Sequence, residues 1–323
     1  MKTITASRKI IVFFILTFAS PSFAGELNVP FASVEMGRAI LTNRDEFIAA
    51  LSPFDRAARM KTDQGVAESE FLEFLGRNVL AWSSEETNRM TGVLKAVKEK
   101  LAAWDLPVPP NVWLIKTSGR EEGNASYTRQ NAVILPEQKI RKPLPDLEDT
   151  IIHELFHIVS RAKPDLRKQL YRIIGFSPIN TVEYPEELRQ RKITNPDGVQ
   201  NGWLINVTNQ NQTLPTIAVL YASTSQYDIK KGGEFFDYLV FHLMVLKKDN
   251  ASWQPKLVGG HPLLLEPRQV SGFFEQVGNN TDYIIHPDEI LASNFVRMVN
   301  GETNLPTPGI VSEMKKLFSR QRP

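Results

Sequence analysis

The chain has 323 residues, of which 42% are hydrophobic and 23% are charged. These values are ordinary for a globular protein and too apolar for a chain that is disordered throughout. The 38 basic and 36 acidic residues give a formal net charge of +2, so composition offers no indication of a nucleic-acid partner. The sequence has no Cys, which excludes disulfides and any cysteine-ligated structural metal site.

The first 24 residues have the order that is typical of a secretory signal peptide. Basic residues (Lys2, Arg8 and Lys9) precede an apolar run over 10–19, and a small-x-small cleavage pattern ends at Ala24. The run is about half the ~20 residues of a membrane-spanning helix. We therefore expect cleavage after Ala24, no stable membrane anchor, and a secreted or periplasmic protein. Loss of these three basic residues would leave 35 against 36 acidic ones, a charge of −1.

The segment 25–107 is predicted to be an N-terminal helical region. Apolar residues recur at three- and four-residue spacing after 42–43, over 71–75, and from Met90 to Leu101. The prolines at 107, 109 and 110 then end all helix. This change of pattern predicts a boundary, with a second domain over 108–323.

The pattern of the second domain predicts an α+β fold. Short strands are expected at 112–115, 125–128 and 132–135, followed by a helix that starts at Asp146 or Asp149. The stretch 176–215 is rich in Pro, Asn, Gln and Thr, and we expect an irregular, functional loop there. For 215–222 and 235–246 the pattern leaves open two strands or a strand and a helix. Pro287 then begins a helix that runs to about Val299.

The segment His153-Glu154-Leu155-Phe156-His157 fits the pattern H-E-x-x-H on the predicted helix. Histidines four residues apart lie on the same face of a helix, so both imidazoles can bind one metal ion. Glu154 can then take a proton from a metal-bound water. The apolar flanks predict a buried helix, in which such polar groups need a ligand. The motif therefore predicts a catalytic centre with Glu154 as general base.

With this motif the sequence resembles the zincin metallopeptidases. The resemblance implies a zincin-like domain over 108–323, in which a small mixed sheet lies beside the active-site helix. It also implies a Zn²⁺ cofactor and an edge strand that pairs with an extended peptide or protein substrate. Ser160 and Lys163 stand where the metzincin branch has Gly and His, so that branch is excluded.

The resemblance is to the gluzincin branch, which takes its third zinc ligand from a Glu on a later helix. Glu289 is the candidate, because it falls in the first turn of the helix that begins at Pro287. Glu183, in the irregular stretch, is the alternative. Ser293 or Asn294 could hydrogen-bond a ligand histidine through its other ring nitrogen.

A donor for the developing oxyanion is also implied, and Tyr283 is favoured over the alternatives Tyr221, Tyr227, His242, His261 and His286. The sequence thus predicts an exported zinc-dependent metallopeptidase. The alternative function is a zincin-like zinc-binding protein without proteolytic turnover.

Overall fold

A computed structural model describes residues 27–319. The predicted signal peptide, 1–24, and its cleavage site after Ala24 lie outside the described residues. Within 27–319, none of the helices combines the length and the apolar content that a membrane span requires.

The α-helices of the described residues are separated mostly by short turns. They are α1 Val34–Leu41, α2 Glu46–Ala50, α3 Pro53–Arg59, α4 Glu68–Arg77, α5 Ser84–Leu101, α6 Glu137–Ile140, α7 Leu144–Ala162, α8 Pro164–Ile173, α9 Glu186–Arg189, α10 Phe273–Val277, α11 Pro287–Val299 and α12 Pro308–Phe318. Their starts follow local chemistry. In α5, for example, Ser83 and Glu86 form a reciprocal capping box, and Met90 to Leu101 supplies a buried apolar face.

The first sheet is small and mixed. Its strands are β1 Val79–Leu80, β2 Trp113–Thr117, β3 Tyr127–Arg129 and β4 Ala132–Pro136, in the order β1-β2-β4-β3. The strands β2 and β4 run parallel and the other pairs antiparallel. The sequence did not predict β1, which lies in the N-terminal segment and pairs with β2. The domain boundary at 107/108 stays a prediction.

A second, antiparallel sheet follows α8 in the chain. Its strands are β5 Ser177–Pro178, β6 Trp203–Asn209, β7 Gln212–Ala222, β8 Leu239–Asp249, β9 Ser252–Pro255 and β12 Leu264–Leu265, and β10 Leu257–Val258 pairs with β11 His261–Pro262. The expectation of an irregular segment over 176–215 is therefore wrong in part. Residues 203–209 form the strand β6, and Gln210 and Asn211 adopt positive φ in a tight hairpin turn.

The fold is α+β, with α7 at the centre of the part that carries the motif. This helix packs against α5, α8 and α11 and against strands β3 and β4. Its apolar face, including Ile151, Ile152 and Leu155, is buried in the largest hydrophobic core. It begins at Leu144, earlier than Asp146, because Pro occupies a first-turn position where no amide donor is needed. The core thus fixes the motif between a sheet edge and α11.

Candidate metal centre

Two histidines of α7 and one glutamate of α11 converge on a common point. His153 and His157 lie one turn apart, with ring centroids separated by 4.7 Å. The Oε2 atom of Glu289 is 3.0 Å from Nε2 of His153 and 3.4 Å from Nε2 of His157. The structure therefore brings together the three predicted metal ligands, although Glu289 is far away in the sequence.

Asp288 fixes the orientation of His157. Its Oδ2 atom is 2.7 Å from Nδ1 of His157, and its Oδ1 atom accepts hydrogen bonds from Ser160 and Tyr171. An Nδ1–H donated to a carboxylate leaves Nε2 as the free lone pair that a metal needs. The supporting role expected for Ser293 or Asn294 is wrong: Asn294 bonds Asn280 and Ile290 instead, and Ser293 makes no hydrogen bond to either histidine.

Asn195 holds the third ligand from the opposite side. Its amide Nδ2 donates to Oε1 of Glu289 over 2.7 Å. With one oxygen engaged in this way, Oε2 is the atom that faces His153 and His157. Burial opposes ionisation of Glu289, but the two histidines hold the pKa of its carboxyl well below its usual range. The carboxylate is thus kept in the charged form that binds a cation.

Glu154 is buried beside these ligands, with a relative exposure of 4%. Its Oε2 atom has no hydrogen-bond partner among the described residues. Burial, followed by the charge of Asp197, raises the pKa of Glu154 well above its usual range. A buried carboxyl with an unsatisfied oxygen is costly unless a ligand or water pairs with it.

Asp197 is a further acidic residue of the centre, and the sequence analysis did not identify it. Its carboxylate, Glu154 and His157 each place one donor atom within 4.8 Å of the others. Oδ1 of Asp197 accepts hydrogen bonds from the backbone N–H and the hydroxyl of Thr128. Burial, followed by the charge of Glu289, raises the pKa of this carboxyl, although His157 and Arg161 oppose the shift.

Two overlapping groups of side chains could therefore hold a metal ion. His153, His157 and Glu289 offer two imidazoles and one carboxylate, the donor set of catalytic zinc sites with an open fourth position. Glu154, His157 and Asp197 offer one imidazole and two carboxylates. Because His157 has only Nε2 free, both groups cannot bind separate ions at once. The first group also leaves Glu154 available as a base, so it fits the expected Zn²⁺ better.

The centre opens on two sides. One side is an inner cavity of ≈ 60 Å³, walled by the loop 193–198, Phe235, Leu220 and Glu122. The other is an outer cleft of ≈ 480 Å³ that contains Lys139, Ser126 and Arg297. His153, Glu154 and Tyr283 line both spaces.

The remaining candidates from the sequence lie elsewhere, except for Tyr283 at the mouth. Glu183 is exposed and lines a separate cleft beside α2 and α3. Within residues 27–319, the other candidate donors line neither the inner cavity nor the outer cleft: Tyr221, Tyr227, His242, His261 and His286. His286 instead caps α11, and its Nδ1 accepts from the backbone N–H of Asp288.

Sequence reasoning missed Asp288, Asn195 and Asp197. Asp288 was visible only as a favourable first-turn acid, next to the candidate ligand Glu289. Asn195 and Asp197 belong to Asn195-Pro196-Asp197-Gly198, a turn-forming run inside the stretch that was predicted to be functional. No local pattern distinguishes such a run from an ordinary surface turn.

No protein-family model matches the chain, and the same is true of curated proteins and solved structures. The function must therefore be argued from the residues of the centre.

Proposed function

We propose that the protein is an exported, zincin-like zinc metallopeptidase that hydrolyses peptide bonds. The single observation that carries this proposal is the convergence of His153, His157 and Glu289, with Glu154 buried beside them and one carboxylate oxygen unpaired. The small mixed sheet next to α7, with β3 at its edge, supports the same interpretation. His153, His157 and Glu289 would hold the ion.

When bound, Zn²⁺ would polarise the substrate carbonyl as a Lewis acid and lower the pKa of a coordinated water from 15.7 to about 7. Glu154 accepts a proton from the attacking water while the oxygen of that water forms a bond to the carbonyl carbon. As the carbon–nitrogen bond breaks, Glu154 returns that proton to the leaving amine.

Two further features, the edge strand β3 and Tyr283, support substrate binding. The strand β3 is at the edge of its sheet, where an extended peptide can add a strand through main-chain hydrogen bonds. Tyr283 lines both the inner cavity and the outer cleft and is 42% exposed. We assign its hydroxyl as a donor to the oxyanion that develops at the attacked carbonyl.

Glu154→Gln tests the mechanism. The amide cannot accept the proton of the attacking water, and general-base catalysis contributes ~100- to ~10,000-fold. We therefore expect kcat on a cleaved peptide to fall at least ~100-fold, while zinc content and thermal unfolding stay close to those of the parent. Elemental analysis, calorimetry and a peptide-library assay with a chelator control give the three measurements.

The outcomes separate the two candidate functions. If the parent holds zinc but cleaves nothing in a broad library, the protein is a zinc-binding protein without turnover. If Glu154→Gln cleaves as fast as the parent, Glu154 is not the general base. Glu183→Gln removes an exposed carboxylate outside the centre and serves as the matched control.

A further inference from the structure

The loop 193–198 closes one end of the substrate edge. In the antiparallel pair of β3 and β4, Thr128 lies opposite Val133, and its N–H points outward to Oδ1 of Asp197 at 2.9 Å. The Thr128 hydroxyl donates to the same oxygen. The outward backbone donor at Thr128 is therefore already used, and an added strand cannot pair with it.

This loop is fixed to the body of the protein. Both the N–H and the hydroxyl of Thr194 donate to the buried Asp55, and Asn195 donates to Glu289. Gly198 packs so closely on His286 that a Cβ there would meet the ring at 2.5 Å. Because these contacts hold the loop at both ends, displacement by a substrate would break several buried hydrogen bonds.

An extended substrate can therefore continue in one direction only. Ser126, just before β3, lines both the inner cavity and the outer cleft, and its buried hydroxyl has no partner among the described residues. The alternation of an extended chain turns the backbone of Ser126 outward, as at Thr128. A peptide that pairs beside Ser126 can extend into the outer cleft, but it must end where the loop begins.

The blocked end is lined by several acidic side chains. Besides the three carboxylates around the histidines (Glu154, Asp288 and Glu289), Asp197 adds a fourth, and Arg161 lies 3.5 Å from it. The Asp197 side chain is only 5% exposed, and both hydrogen bonds from Thr128 go to its Oδ1 atom. A cationic partner would complete the centre.

The size and the other walls of the inner cavity restrict that partner. About 60 Å³ is available, and Ile193, Leu220 and Phe235 provide an apolar wall opposite the acids. This space suits a small ammonium group with an apolar side chain beside it. The outer cleft instead carries charges of both signs, with Lys139 and Arg297 beside Asp149 and Glu302. The two ends of the site thus differ in charge, because the inner cavity has acids but, among the described residues, no Lys or Arg in its lining.

We propose that Asp197 binds a primary ammonium group next to the scissile bond, and that this group is the free α-amine of the substrate. The protein would then be an aminopeptidase, which releases one apolar residue at a time from peptide N-termini. This inference rests on the proposed peptidase function. The ε-amine of a lysine side chain has the same chemistry, but the substrate edge is closed at this point by the contact of Thr128 with Asp197, which favours a chain end.

The binding of small amides tests the ammonium site without turnover. Isothermal titration calorimetry compares leucine amide, N-acetyl-leucine amide and Nα-acetyl-lysine amide on the zinc-loaded protein. A charge-assisted hydrogen bond corresponds to roughly 10- to 100-fold in affinity. We expect the parent to bind leucine amide at least ~10-fold more tightly than either acetylated amide.

Asp197→Asn keeps the shape and the acceptor for Thr128 but removes the charge. We expect this variant to retain its zinc, by elemental analysis, and to bind the three amides within about 2-fold of one another. Asp249→Asn, at the exposed end of β8, is the matched control and should preserve the preference of the parent. On peptides, N-terminal acetylation should lower kcat/KM at least ~10-fold in the parent and much less in Asp197→Asn.

The results test the ammonium site and the peptidase function separately. Equal binding of leucine amide and its acetylated form by the parent would overturn the ammonium site, even if peptides are cleaved internally. Preference for the acetyl-lysine amide would assign the site to a side chain and overturn the α-amine. Loss of zinc in Asp197→Asn would make Asp197 a metal ligand. If the parent selects leucine amide through Asp197 yet cleaves no peptide, the ammonium site stands and the peptidase function fails.

Discussion

Two buried acidic clusters meet at the inner cavity, and they are neutralised in different ways. The metal centre combines His153, His157 and Glu289 with the acids Glu154 and Asp197. The second cluster, which we name the arginine cluster, consists of Asp55, Arg59 and Glu122. Glu122 also lines the inner cavity, so the two clusters face the same space.

The arginine cluster contains its own cation. Arg59 is 2.6 Å from Asp55, 2.6 Å from Glu122, and donates to the carbonyl of Thr194. Its guanidinium lies 4.1 Å from the ring centroid of Phe235. The Arg59 and Asp55 side chains are completely buried. The N–H donors of Arg59 are thus largely paired within the protein, which is the arrangement of a structural ion network.

The metal centre lacks such a partner. Its carboxylates have only the partly exposed Arg161 as a paired basic side chain, 3.5 Å from Asp197 and 24% exposed, and Glu154 keeps an oxygen without a hydrogen bond among residues 27–319. The comparison teaches that burial of acids alone does not mark a functional site. What distinguishes the candidate metal centre is that its acids surround two histidines and leave one oxygen of Glu154 unpaired, so that the group could hold an external cation.

The largest effect should come from Glu289→Ala in the metal centre. Removing a ligand should weaken zinc binding by more than the ~10- to ~100-fold that loss of a supporting residue causes. Stability in the presence of zinc should fall as well, because bound metal stabilises only the folded state. Chelator competition and thermal unfolding with and without zinc measure both effects.

Glu183→Ala is the control for this variant, since Glu183 is exposed and outside the centre. It should bind zinc like the parent. Zinc loss in Glu183→Ala, with tight binding retained in Glu289→Ala, would show that the third ligand is wrongly assigned.

The arginine cluster should respond in a way that does not depend on metal. Arg59→Met leaves Asp55 and Glu122 buried without their cation, and breaking a buried pair costs about 3–5 kcal/mol. We expect this loss in the free energy of unfolding, by urea titration, to be equal with zinc and with chelator. Arg77→Met, whose parent side chain is 65% exposed, should change stability by less than about 1 kcal/mol.

An Arg59→Met loss that disappears in chelator would mean that the arginine cluster acts through the metal centre. The distinction between the two clusters would then be wrong.

A smaller effect, visible through pH, should come from Glu121, beside the arginine cluster. Burial raises the pKa of Glu121 to about 7, and its Oε2 atom has no partner in the described part of the chain. Because the pKa of Glu121 is higher in the folded protein than its unfolded value, near 4.5, the protonated carboxyl stabilises the folded protein at pH values below 4.5. This contribution to the free energy of unfolding is lost as the pH rises through 7. Between pH 4 and pH 8, the free energy of unfolding of Glu121→Gln should therefore rise by about 3 kcal/mol relative to that of the parent.

Urea titrations at several pH values, with chelator present, measure this difference. Glu137→Gln, a partly exposed acid at the start of α6, provides the comparison and should show no such trend. A Glu121→Gln difference that stays constant across the pH range would show that Glu121 ionises normally in the folded protein.

The local pattern of residues was sufficient for the parts of the site that lie on one helix. The spacing of His153 and His157 places them on one face because a helix repeats every 3.6 residues. Pro287 and the acids after it likewise predict α11, with Glu289 in its first turn. The strands around β2 and β4 were equally clear, because short apolar runs are bounded there by turn residues. The irregular composition of 176–215, in contrast, hid the strand β6.

Only the tertiary structure decides which groups meet the helix. Glu289 reaches the histidines because α11 packs on α7, a contact between residues more than a hundred positions apart. The same packing makes Asp288 the support of His157, and it places Asn195 and Asp197, from a turn, against the ligands. Such contacts depend on how cores and sheets assemble, and no local periodicity encodes them. The sequence by itself therefore determines the helix that carries the two candidate metal-binding histidines, whereas the position of Glu289, its supports and the closed end of the β3 edge are decided by the packing of distant segments.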